Sequence, residues 1–142
     1  MEPIRRARRI STAVALALLI GAPALAGGPF DGSKPLVCTN DDTFECSDAH
    51  PNCLAGDAGD LGMAELFRLD VQAKELVALA GPREGQAASV EAVRHQEGYL
   101  VVQGGRGARS FTLLIDESTG QSTATITEVG TAFVVFGACA AL

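Results

Sequence analysis

The stretch that decides the fold class is residues 99–136, YLVVQGGRGARSFTLLIDESTGQSTATITEVGTAFVVF. It contains four short runs rich in β-branched and apolar residues, at positions 99–103, 109–115, 122–129 and 131–136. Turn signals separate the runs: Gly104-Gly105-Arg106-Gly107, Asp116-Glu117-Ser118-Thr119-Gly120 and Gly130. This spacing is typical of an antiparallel β meander, because glycine supplies the positive φ angles that tight hairpins require.

Weaker strand signals precede this stretch. Residues 88–94 form one further run, which ends at the turn formed by residues 96–98. Between residues 64 and 80, Phe67, Leu69 and Val71 alternate with polar residues as in a strand. A helix is the alternative, since one helical stripe would hold Leu66, Leu69, Ala73, Leu76 and Ala80. The β rhythm of the neighbouring sequence favours a strand pair.

These runs predict a mainly β protein whose antiparallel meander forms a small barrel or half-barrel, since closure hides exposed sheet edges. Residues 63–142 make up the predicted β domain. Residues 27–62 contain many Asp, Asn and Gly residues and no sustained apolar period, which predicts an irregular segment pinned by disulfides. We expect the two parts to fold together as one domain, 27–142.

Residues 1–26 have the order of a secretory signal peptide. Four arginines at positions 5, 6, 8 and 9 precede an apolar run at residues 10–20, and Ala24-Leu25-Ala26 closes the segment. This order predicts cleavage after Ala26 and a periplasmic or secreted protein. The apolar run is shorter than the roughly 20 residues of a spanning helix, so we expect no permanent membrane anchor.

The predicted mature chain is strongly acidic. Cleavage would remove four Arg and one Glu, leaving seven Lys and Arg against 16 Asp and Glu, a net charge of −9. Such a charge repels phosphate backbones and anionic lipids, which argues against a nucleic-acid or membrane-surface partner. It favours encounter with a cationic protein.

Four cysteines permit three disulfide pairings, and the sequence does not choose rigorously among them. We expect Cys46 to pair with Cys53 and Cys38 to pair with Cys139. A metal site is the competing hypothesis for one cluster, whose candidate ligands are Cys46, Asp48, His50 and Cys53. The spacing departs from the usual zinc pattern, and thiols of an exported chain oxidise, so we predict disulfides and no metal.

Other charged groups carry weaker hypotheses. An acidic group at positions 40–42, 45 and 48 and the Gly/Asp-rich loop 56–62 faintly resemble calcium sites, but we interpret both as solvated turns. Arg106 and Arg109 flank a predicted hairpin and could hold a carboxylate or phosphate, although an exposed turn is the favoured interpretation.

Catalytic candidates are few. The ones worth naming are His50, His95, Asp116 and Glu117, and none belongs to a recognised nucleophile, zinc-protease or phosphate-loop motif. We therefore predict a protein that is not an enzyme and needs no cofactor.

Several segments resemble a family of small exported proteobacterial proteins without an established activity. They are FDGSKPLVC (30–38), FEC (44–46), FRLDVQAK (67–74), GYLVVQG (98–104), IDESTG (115–120) and FGAC (136–139). The resemblance implies one exported domain with a cysteine framework and transfers no binding or catalytic residue. A more distant architectural similarity is to the barrels of periplasmic inhibitors of C-type lysozyme, which also join a front cysteine to a final-strand cysteine.

The functional hypothesis is a non-catalytic binding module of the cell envelope. Its partner would be a small apolar ligand in the barrel or a cationic envelope protein. The alternatives are a structural envelope protein without a soluble ligand and, less favoured, a hydrolase.

Overall fold

The computed structural model describes residues 28–49 and 52–142, so the predicted signal peptide and His50 lie outside the described residues. Every regular element of the described part is a strand, which confirms the mainly β prediction. The strands are β1 (Leu36–Thr39), β2 (Asp42–Ser47), β3 (Leu54–Gly56), β4 (Leu66–Asp70), β5 (Glu75–Ala80), β6 (Ala87–Gln96), β7 (Tyr99–Arg106), β8 (Arg109–Asp116), β9 (Gln121–Glu128) and β10 (Thr131–Ala141). Over these ranges the structure holds no helix that is long and apolar enough to cross a membrane.

Eight of the strands form a closed antiparallel barrel. Their order is β1-β4-β5-β6-β7-β8-β9-β10, and pairing of β1 with β10 closes the circle. The meander from β4 to β10 follows the chain, because each strand pairs with the next through a short turn. The predicted barrel is thus confirmed in its closed form. The hairpin of β2 and β3 extends the sheet at the edge of β10 that also pairs with β1.

The eleven-residue strand β10 organises this junction. One of its edges pairs with β9, and the other pairs first with β2 at residues 131–136 and then with β1 at residues 139–141. Gly137 lies between the two partners, where a Cβ atom would collide with the carbonyl of Thr39. Glycine at this position therefore lets the chain leave β1 and cross closely over β10 before β2 begins.

Two disulfides fasten the junction, and both have the predicted partners. Cys38 and Cys139 are directly opposite in the β1–β10 ladder, and both side chains are buried in the barrel. Cys46 and Cys53 link the end of β2 to the residue before β3. The described part of the segment 27–62 is more regular than predicted, since it contributes β1, β2 and β3. Their lengths of four, six and three residues are too short for a period-two pattern to stand out in the sequence.

Residues 64–80 contain the predicted strand pair and not the alternative helix. Phe67 and Leu69 face the core while Arg68 faces solvent, as strand alternation requires. The turn between β4 and β5 contains Lys74 in the left-handed region at φ 56° and is fixed by a 2.9 Å bond from the Ala73 amide to Asp70 Oδ1. A helix would have placed Ala73 on its buried stripe, but here it is exposed.

The turn between β7 and β8 is shorter than the glycine-rich sequence predicts. Gly104 and Gly105 belong to β7 and pair with Phe111 and Ser110, and the turn itself is at residues 107–108. A Cβ atom on Gly104 would collide with the Ser89 carbonyl and press on the Phe111 ring. This glycine therefore permits the close approach of β6 rather than forming the turn.

The turn between β8 and β9 is held by Asp116. Its Oδ1 accepts bonds from the Ser118 hydroxyl at 2.6 Å and from the amides of Ser118 and Thr119 at 2.8 and 2.9 Å. These bonds, the Ser118 hydroxyl first, hold the pKa of Asp116 below its ordinary value near 3.8. A lowered folded-state pKa means that ionised Asp116 stabilises the fold above the unfolded-state pKa, and that this contribution disappears as the pH falls through the folded-state pKa.

We therefore expect Asp116→Asn to destabilise the protein at pH 7 and to differ less from the wild type at pH 3. Urea unfolding of both proteins at the two pH values measures this. An equal difference in midpoint at pH 7 and pH 3 would show that the charge on Asp116 plays no part.

The barrel interior is filled unevenly along its axis. Large aliphatic side chains close one end, among them Leu36, Leu69, Leu100 and Ile115, all at most 1% exposed. The chain before β1 covers that end, where the Phe30 amide bonds to the Glu117 carbonyl at 3.2 Å and the Phe30 ring lies against Gly120. The other end, which carries the β5–β6 and β7–β8 turns, is packed less completely.

Candidate ligand-binding site

A cavity of about 130 Å³ opens at this second end of the barrel. Its walls are mostly apolar and include Phe67, Leu76, Phe111, Leu113 and Ile126. The sequence explains why space is left here, since several lining positions carry very small residues: Ala78, Ala87, Ala88, Gly105 and Ala124. Large aliphatic residues fill the corresponding layer at the opposite end. The barrel is therefore fully packed at the end covered by the chain before β1, and it contains a cavity at the end with the β5–β6 and β7–β8 turns.

Three arginines line the same cavity: Arg83 from the β5–β6 turn, Arg106 from the end of β7 and Arg109 from the start of β8. Arg109 forms a two-pronged ion pair with Glu128, at 2.6 Å from Nε and 3.2 Å from Nη2. Its guanidinium also lies 5.6 Å from the Phe133 ring centroid. This packing fixes Arg109 in one orientation.

The other two arginines are anchored by neutral groups. Arg106 Nη1 donates to Gln86 Oε1 at 2.6 Å, and Arg83 Nε donates to the Gly62 carbonyl. Among residues 28–49 and 52–142, neither terminal nitrogen of Arg83 has a hydrogen-bond acceptor. Arg83 therefore has one bond that orients its guanidinium and two terminal nitrogens that make no bond within the described part of the chain.

The charges that line the cavity are unbalanced. Burial lowers the pKa of Arg83, the positive charges of Arg109 and Arg106 lower it further, and Glu128 opposes them. The hydrogen bond from Arg109 lowers the pKa of Glu128, so this carboxylate stays ionised. Three of the residues that line the cavity are cations and none is acidic, in a chain whose overall formal charge is −6. Local and overall charge have opposite signs.

Arg106 and Arg109, the two residues that the sequence suggests for binding an anion, do lie together at the cavity. The sequence does not indicate that Arg83 joins them there. The sequence did contain a turn signal, Pro82-Arg83-Glu84-Gly85, but nothing in it connects that turn to the β7–β8 hairpin. Closure of the barrel brings the two turns to the same opening. The missing information was thus the long-range pairing of strands.

Three of the catalytic candidates, His95, Asp116 and Glu117, lie at the filled end of the barrel, and the fourth, His50, lies outside the described residues. His95 Nδ1 contacts Glu117 Oε1 at 2.5 Å, and the Glu117 side chain is only 10% exposed. Within the described ranges no hydroxyl or thiol group is hydrogen-bonded to His95, and Asp116 is engaged in its turn. The pair can orient the histidine, but it lacks a neighbouring nucleophile among these residues.

Of the four candidate metal ligands, His50 lies outside the described residues and the two cysteines are bonded to each other. Cys46 and Cys53 form a disulfide and cannot act as thiolate ligands. In the portion of the chain that the structure describes, no three His, Cys, Asp or Glu side chains cluster as a metal site would require. The loop 56–62 is closed by its own backbone, for example by the bond from the Leu61 amide to the Asp57 carbonyl at 3.1 Å.

No protein-family model, no curated protein and no solved structure matches this chain. Its two disulfides indicate an oxidising, non-cytoplasmic environment.

Proposed function

We propose that this protein is an exported, non-catalytic binding module of the cell envelope that holds a small apolar ligand in the open end of its barrel. The observation that supports it is the cavity of about 130 Å³ lined by apolar side chains and small residues. Concave apolar sites with a few polar groups at the opening are the usual form of small-molecule sites, and barrel mouths are frequent locations for them.

The size of the cavity limits the ligand. An engineered apolar cavity of about 150 Å³ in another protein stays dry and binds benzene. A cavity slightly smaller than that accepts an apolar group of about six carbons, such as a phenyl ring or a short branched chain. A long acyl chain would have to extend out of the opening.

Export to the periplasm or the exterior is the second component of the proposal. It is supported by the signal-peptide pattern of residues 1–26 and by the two disulfides. A cationic protein partner is supported by net charge alone. A purely structural role would leave the cavity without a ligand, so a binding measurement separates it from the proposed one.

Toluene tests the site because it matches the cavity in size and carries no charge. We expect toluene to shift the backbone amide NMR signals of residues that line the cavity, such as Leu113 and Ala124. Ala88→Phe should weaken this binding at least tenfold, because the new ring occupies the space of the ligand, and about 1.4 kcal/mol of lost contact already accounts for a tenfold change.

Ala92→Phe is the matched control, since Ala92 is exposed on the same strand and does not line the cavity. This variant should bind toluene as the wild type does. Equal binding by Ala88→Phe and Ala92→Phe, or no cavity shifts with toluene at all, would contradict the proposed site.

A further inference from the structure

We propose that the cavity selects an anionic ligand: a small carboxylate whose apolar group enters the barrel and whose carboxylate is bound by Arg83. This inference rests on the proposed function and adds the chemical class of the ligand. It is carried by the position of three arginines around an apolar cavity, of which Arg109 alone is paired with a carboxylate among residues 28–49 and 52–142.

The hydrogen-bond partners of the arginines identify Arg83 as the anion-binding group. Both prongs of Arg109 are taken by Glu128, and Arg106 is bonded to the neutral amide of Gln86. Arg83 uses Nε for the Gly62 carbonyl, and no acceptor within the described segments takes its two terminal nitrogens. A planar guanidinium with two free donors matches the two oxygens of a carboxylate.

The surroundings strengthen this preference. Arg83 is partly buried, and Arg106 and Arg109 add two positive charges nearby. The single negative charge of Glu128 balances one of these two charges. A monoanion placed here is attracted by the three guanidinium groups, which offsets their mutual repulsion. A neutral ligand gains no such attraction, and a cationic ligand is repelled.

The positive charge of the arginines is confined to the opening of the cavity. The layer below is formed by Phe67, Leu113 and Ala124, which provide no hydrogen-bonding side chain. A ligand must therefore be apolar where it enters the barrel and charged where it leaves it. This arrangement fixes the direction in which the ligand binds.

Benzoate, benzamide and benzylammonium test the inference, because they share a ring and differ in the charge of the head group. We expect benzoate to bind the disulfide-bonded protein about tenfold more tightly than benzamide, as one charge-assisted hydrogen-bonded pair allows. Benzylammonium should bind more weakly than both. NMR titration of the cavity-lining amides gives the three dissociation constants and locates the site.

Two substitutions assign the effect to particular residues. Arg83→Gln should weaken benzoate about tenfold and weaken benzamide and toluene much less, whereas Arg83→Lys should retain part of the benzoate affinity. Arg94→Gln is the matched control, because Arg94 is exposed on β6, bonds to Gln103 and does not line the cavity. Glu128→Gln should tighten benzoate binding severalfold, since it releases Arg109 from its ion pair.

The outcomes separate the two proposals. If toluene binds in the cavity but benzoate binds no more tightly than benzamide, the selection of an anion is wrong while the apolar site stands. Unchanged benzoate affinity in Arg83→Gln would also overturn the role of Arg83. If neither toluene nor benzoate shifts the cavity residues, the proposed function itself fails.

Discussion

Replacing Cys38 and Cys139 together with alanine is expected to lower the free energy of unfolding by about 4–5 kcal/mol. The two residues are separated by 101 positions, and on the chain-entropy model a cross-link over about 100 residues stabilises by about 4.7 kcal/mol. Small domains have only about 5–15 kcal/mol in total, so the variant should be close to the limit of stability. Urea unfolding under oxidising conditions measures the loss.

Cys46→Ala/Cys53→Ala is the matched control. These cysteines are seven positions apart, so the same model gives a smaller loss, about 2.5 kcal/mol. Reduction of this control variant by a thiol then removes the Cys38–Cys139 bond without a change of sequence. A larger loss in Cys46→Ala/Cys53→Ala than in Cys38→Ala/Cys139→Ala would show that loop length does not govern the stability of this barrel.

Leu100→Ala should cost about 3–4 kcal/mol, in the range measured for fully buried leucines in other proteins. Leu100 is 0% exposed at the filled end of the barrel, where tightly packed neighbours leave little freedom for the structure to collapse around a smaller residue. Leu114→Ala is the control, because Leu114 lies on the outer face of the adjacent strand and is 38% exposed. We expect it to cost less than about 1 kcal/mol.

Urea unfolding of the two variants gives both values. Similar losses for Leu100→Ala and Leu114→Ala would mean that the assignment of inner and outer faces is wrong. A loss at Leu100 below 1 kcal/mol would mean that the filled end is not tightly packed.

The sequence predicts the strands of this fold better than it predicts the site. Residues 99–136 have both strong alternation and strong turn signals, so local chemistry and tertiary structure favour the same elements there. At Gly104 the two conflict. The glycine resembles a turn residue in the sequence. It is needed, however, because a Cβ atom at this position would collide with the carbonyl of Ser89, which is 15 positions away in the chain.

The candidate site depends on the same long-range information. Arg106 and Arg109 could be singled out because a hairpin places them close together, whereas Arg83 joins them only when the barrel closes. The cavity follows from the sizes of residues on six different strands that face one space. A local pattern in a single sequence does not show which residues from distant strands face the same space.

The wide separation of Cys38 and Cys139 also sets an order of events during synthesis. When Cys38 leaves the ribosome or an export channel, its native partner is still 101 residues away, whereas Cys46 and Cys53 follow almost at once. The earliest sulfur atoms that Cys38 meets are therefore the wrong ones. Correct pairing therefore requires that Cys38 stay reduced until Cys139 is present, or that a wrong disulfide be replaced by the native one through thiol–disulfide exchange.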